Sequence, residues 1–132
     1  MADHGETPRK RVLVVDDSSL VRLYYRTALE KAGFAVEQAI NGIEAMEKIL
    51  LQEFDLLIVD INMPRMDGIA FVRLVRCGAA EIATLPVLMI STESETGDFA
   101  AARLAGANFY LVKPVTEAEL VRHVAVLSGV AP

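Results

Sequence analysis

Four short apolar runs in this chain end in groups that can do chemistry. Asp16 and Asp17 follow Val12–Val15, Asp60 follows Leu56–Val59, Ser91 and Thr92 follow Val87–Ile90, and Lys113 follows Phe109–Val112. If the runs are strands of one sheet, three carboxylates and one ammonium meet at one end of it. Carboxylates a few ångströms apart raise one another's pKa unless a cation compensates. A divalent ion is therefore expected. An all-oxygen set without His or Cys suits Mg2+, with Mn2+ as the alternative, because Mg2+ takes octahedral oxygens and keeps waters that a phosphate can replace. Each group also has a scaffold reading: an acidic pair at a strand-to-helix turn can cap the helix, and Ser91 or Lys113 alone is an ordinary surface residue. Asp60 is harder to dismiss, because it closes Leu56-Leu57-Ile58-Val59, where an unpaired charge is costly.

The elements that would gather these groups alternate along the chain. Val12–Val15 is a continuous β-branched run, the mark of a strand buried on both faces. Asp17 or Ser18 can cap a helix whose apolar residues Leu20, Leu23, Tyr24 and Ala28 recur at helical spacing until Gly33 supplies a left-handed stop. The same unit repeats as Ala35–Ala39 before a helix opened by Asn41 through Leu51, and as Leu56–Val59 before a helix over Gly68–Cys77. Two more follow: Val87–Ile90 before a helix ending at Gly106, and Phe109–Val112 before one over Thr116–Leu127. Five strands alternating with five helices imply an α/β domain, a parallel sheet covered on both faces, with ligands at the carboxyl ends of the strands.

At 132 residues with 53% hydrophobic and 23% charged residues, the chain is sized for one globular domain, expected over residues 11–128 behind a flexible tail at 1–10. The single Cys77 excludes an internal disulfide, and no Cys/His cluster has zinc spacing. Met1–Lys10 lacks the apolar core of a signal peptide, and no run approaches a membrane span, so a cytoplasmic protein is expected. The net charge of -5 argues against nucleic acid as a partner, since neutralising phosphates takes clustered Lys and Arg. Arg9-Lys10-Arg11 reads as a solvated lead-in to the first strand.

The constellation resembles the receiver domain of two-component response regulators. The matching residues are Asp16-Asp17, Asp60 within Val59-Asp60-Ile61-Asn62-Met63-Pro64, Met66-Asp67-Gly68, Ser91, Ala105-Gly106-Ala107, Tyr110 and Lys113-Pro114. The resemblance implies a flavodoxin-like (βα)5 three-layer sandwich of strand order 2-1-3-4-5. It also implies that Asp60 accepts a phosphoryl group from a histidine kinase, CheA-like in a chemotaxis pathway. Asp17, Asp60 and the Asn62 backbone carbonyl would hold Mg2+, with Asp16 acting through a water. Lys113 would pair with Asp60 before transfer and with a phosphoryl oxygen after it, across a cis bond to Pro114. Ser91, where many members have Thr, would donate to another phosphoryl oxygen. Tyr110 would turn inward as the Ser91 loop moves. Asn62, Thr92 and Glu93 would tune phosphoryl lifetime.

One expectation needs no family. If Ala101, Leu104 and Ala105 form the inner stripe of their helix, Phe99 falls nearly opposite and is partly exposed, a candidate partner anchor; the resemblance adds Tyr110 to that surface. Cys77, Met46 and His123 read as packing or surface residues. The functional expectation is a stand-alone monomeric regulator that catalyses only its own phosphorylation and dephosphorylation and binds a protein target such as a flagellar switch component. A phosphate sink or relay intermediate is the alternative within the family. A Mg2+-dependent aspartyl-phosphate phosphatase normally carries a second acid two residues past the nucleophile, where this chain has Asn62. A flavin carrier would set Asp16-Asp17 against the flavin phosphate.

Overall fold

The computed structural model describes residues 9–63, 65–92 and 96–130, with 96 and 97 described by their backbone alone. The apolar runs form β1 (Arg11–Val15), β2 (Ala35–Ala39), β3 (Leu56–Val59), β4 (Val87–Ser91) and β5 (Phe109–Val112). They pair in parallel in the order β2-β1-β3-β4-β5. The register sets Val15 beside Val59 and Val59 beside Met89, so the central strands finish nearly level. Among the described residues six helices flank them: α1 (Ser19–Lys31), α2 (Gly42–Leu51), α3 (Gly68–Arg76), α4 (Ala80–Ala83), α5 (Thr96–Ala105) and α6 (Glu117–Ser128). α4 is a single turn inside the link from α3 to β4, too short to give the sequence a helical period.

Alternation divides the sheet's side chains between two cores. Val12, Val14, Ile58 and Ile90 pack with α1 and α6, while Leu13, Val15, Val59 and Met89 pack with α2, α3 and α5. Polar side chains start the helices: Ser18, Asn41, Asp67 and Thr116 each accept a backbone N–H of the first turn. Two helix faces differ from the sequence reading. α1 buries Tyr25, Ala28 and Leu29 and leaves Leu20 and Leu23 exposed, 77% and 56%. α5 buries Ala102 and Ala105, while Leu104 is 88% exposed. Both helices are apolar on more than one side, so spacing alone does not select the face that meets the sheet. Among the described residues no helix is long and apolar enough to cross a membrane.

Arg65, in the β3–α3 loop, has φ 72°, a left-handed conformation that costs a side chain about 1–2 kcal/mol. Arg65→Gly is expected to stabilise the fold by about 0.5–1 kcal/mol, the relief being partly offset by glycine's freedom in the unfolded chain. Urea midpoints for the two proteins check this, and a lower midpoint for the glycine variant would contradict it.

Candidate functional site

The backbone ladder that builds the sheet also places the site. Asp16 N–H donates to the Ala39 carbonyl of β2 at 3.1 Å, Asp60 N–H to the Val15 carbonyl of β1 at 3.0 Å, and Lys113 N–H to the Ser91 carbonyl of β4 at 2.8 Å. Each functional residue is thus held laterally by a neighbouring strand. Oxygens of Asp16, Asp17 and Asp60 lie within 4.8 Å of one another. Asp16 and Asp60 are buried and Asp17 is exposed.

The Lys113 ammonium lies 3.1 Å from Asp16 Oδ2 and 3.8 Å from Asp60 Oδ2. It hydrogen-bonds Asp16 and faces Asp60 at ion-pair range. Its peptide bond to Pro114 is cis. Asp16 is fixed on every side: besides Lys113 and Ala39, its Oδ1 accepts from Ser18 N–H at 2.9 Å, and its carbonyl accepts from Arg22 Nη1 at 2.7 Å. Arg22 is braced in turn by Gln38 Oε1 of β2 at 3.0 Å.

One ammonium does not neutralise three carboxylates. Burial pushes the Asp60 carboxyl up to about 6, helped by the Asp16 charge and, less, by Asp17; Lys113 and the Asn62 backbone N–H pull it down. A cation bound by carboxylate oxygens at about 2.1 Å puts opposite ligands about 4.2 Å apart, a spacing this cluster can meet with small side-chain adjustments. The donor set therefore fits a hard divalent ion such as Mg2+ or Mn2+.

The raised pKa fixes a sign. Between pH about 4 and about 6 the folded state keeps an Asp60 proton that the unfolded chain has released, so this group's contribution to stability falls as pH rises through that window. The Asp60 carboxyl carbon resonance in metal-free protein should titrate with a midpoint about 6, and a midpoint near the ordinary carboxylate value would contradict this account.

The remaining candidates lie around this centre. Ser91 is fully buried at the end of β4, while Thr92 and Asn62 are exposed. Glu93 and Pro64 fall outside the described residues. Tyr110 is half-buried against the core on the α5 side, and Phe99 meets its ring edge-on at 4.4 Å. Phe99 is 37% exposed, but it borders the buried Ala102 stripe rather than opposing it. Sequence reasoning missed Arg22, whose acceptor is a backbone carbonyl and carries no residue signature. It also missed the exposed Leu20 and Tyr24, which line a shallow apolar groove with Lys113 and Pro114; Tyr24 Oη donates to the Val115 carbonyl at 2.9 Å.

Residues 12–125 match the family model described as the response regulator receiver domain. The chain belongs to the receiver domain family. This receiver is 41% identical over 117 residues to the transcriptional regulatory protein PrrA of Mycobacterium leprae, a match covering 89% of this chain and 49% of PrrA. It therefore spans about half the length of the curated relatives it matches. The receiver's structure superposes on chemotaxis protein CheY4 of Vibrio cholerae with a TM-score of 0.86 at 35% identity, covering 91% of this chain and 99% of that one. It also superposes on the receiver domain of sensor histidine kinase PA1611 from Pseudomonas aeruginosa, with a TM-score of 0.85 at 26% identity, covering 92% and 99%. That structure holds a magnesium ion coordinated in its active-site cleft.

Proposed function

We propose that this receiver takes a phosphoryl group onto Asp60 from the phosphohistidine of a histidine kinase. The observation that carries the reading is a buried carboxylate at the end of central β3, facing Lys113 and two further carboxylates. Asp17, Asp60 and the Asn62 carbonyl would hold Mg2+, with Asp16 behind a water; the ion in the PA1611 receiver supports this. When bound, the ion supplies the positive charge that lets a phosphoryl group sit among acids. An Asp60 carboxylate oxygen attacks phosphorus, the P–N bond breaks, and its electron pair returns to the imidazole. Lys113 moves its charge onto a phosphoryl oxygen, and the Ser91 hydroxyl turns to donate to another. Exposed Leu20 and Tyr24, in a groove shared with Lys113 and Pro114, give the donor domain an apolar landing next to the site.

The output is a change around Ser91 and Tyr110, read by a protein target through Phe99 and the exposed Phe109. Likeness to CheY4 over nearly its whole length supports a chemotaxis role with a flagellar switch partner and a CheA-like donor. A phosphate sink or relay step is the alternative use of the same chemistry. The match to half of PrrA favours a second reading, control of a transcription regulator. In either role the receiver is a monomer in the cytoplasm that catalyses only its own phosphorylation and dephosphorylation. Incubation with a small phosphodonor should give a single hydrolysable phosphoryl adduct by intact mass when Mg2+ is present and none in excess chelator. Equal labelling in both conditions would overturn the reading.

A further inference from the structure

Arg76, the last residue of α3, gathers the far end of the molecule from the acidic site. All three guanidinium nitrogens donate. Nε and Nη2 reach the Gly106 carbonyl at the end of α5, 3.1 and 2.7 Å, and Nη1 reaches the Ala83 carbonyl ending α4 and the Leu85 carbonyl before β4, 2.9 and 2.6 Å. Nη2 also meets Asn108 Oδ1 at 2.9 Å, and that oxygen accepts the Val87 N–H of β4 at 2.8 Å. Carbonyls at helix ends have no partner within their own helix, and a fixed cation there also complements the helix dipole. The fit is close: Gly106 has φ 115°, and a Cβ there would lie 2.7 Å from Arg76 Nε.

The other end of α5 follows the strand end that carries Ser91. We infer that Arg76 is a positioning residue that pins the C-terminal end of α5 to the starts of β4 and β5, so that a change at Ser91 swings the N-terminal half of α5. The helix then moves about a fixed point instead of sliding as a body, and the motion is concentrated at Phe99 and its contact with Tyr110. The inference rests on the phosphoacceptor reading and specifies how that site is coupled to its surface.

The test compares amide resonances of the isotope-labelled chain with Mg2+ alone and with Mg2+ plus beryllofluoride, a phosphoryl stand-in. In wild type, amides in the first half of α5 should shift while those from Ala102 to Asn108 stay in place. In Arg76→Met the shifts should run through Asn108, and Gly106 and Asn108 amides should exchange about tenfold faster or more, the scale expected for losing charged hydrogen bonds. Arg76→Lys keeps the charge but not the fork and should be intermediate. Wild-type shifts extending through Gly106, or a wild-type pattern in both variants, would overturn the clasp. If Arg76→Met does not fold, the wild-type and lysine arms still decide. No beryllofluoride-dependent change around Asp60, Ser91 and Lys113 in wild type would instead overturn the phosphoacceptor reading and the clasp with it.

Discussion

Asp60→Asn is expected to abolish phosphoryl uptake and, in metal-free protein, to raise stability. The first effect follows from the nucleophile: an amide oxygen at the end of β3 does not form the acyl phosphate, and neither neighbouring acid occupies the same position. Asp16 has each carboxylate oxygen held by a donor, Ser18 N–H and the Lys113 ammonium, and Asp17 is exposed at the rim. The second effect follows from the field at the site. Raising a buried carboxyl from its usual value to about 6 corresponds to a penalty of about 1–3 kcal/mol at neutral pH, which an uncharged side chain of the same shape removes. The thermal midpoint without Mg2+ should rise by several degrees, and the gain should shrink below pH about 6, where wild type is protonated. Saturating Mg2+ should narrow the gap too, since the ion stabilises only the protein that binds it. A variant less stable than wild type at neutral pH in chelator would contradict this account of the acidic cluster.

Gly68→Ala should have the largest structural effect of any single methyl addition near the site. A Cβ at Gly68 would stand 2.1 Å from the Asp60 carbonyl oxygen and 2.9 Å from Ile61 Cα, both backbone atoms that cannot rotate away. The close approach exists because the first turn of α3, capped by Asp67, lies on the chain leaving β3, with Gly68 N–H donating to Ile61 O at 2.8 Å. Relief requires α3 or the Asp60 backbone to shift. We expect a loss of about 2–4 kcal/mol in denaturant unfolding, at or above the usual range for overpacking. Phosphorylation should slow at least about tenfold, because positioning errors of an ångström are costly in group transfer. A Gly68→Ala protein with wild-type stability and rate would show that this contact does not hold the nucleophile.

The parts of the molecule visible in the sequence are those set by local pattern. Buried strands read as unbroken apolar runs, and the polar residues that interrupt them, Asp16, Asp60 and Lys113, converge because parallel strands present their carboxyl ends together. Helix faces were less legible. α1 carries apolar residues on two sides, and only the sheet selects Tyr25 and Leu29 over Leu20 and Leu23. In α5, small alanines pack at close range where a bulkier leucine faces outward. Arg22 and Arg76 were invisible for a different reason: their main acceptors are backbone carbonyls of distant segments, present at every residue and marked by none.

The most direct test of the central claim locates the phosphoryl group. Protein phosphorylated by a small donor with Mg2+ is treated with borohydride, which reduces an aspartyl phosphate to homoserine, and its peptides are sequenced by mass. The account predicts homoserine at position 60 and at neither position 16 nor position 17. Homoserine at another acid, or a stable phosphate on a hydroxyl side chain, would contradict it.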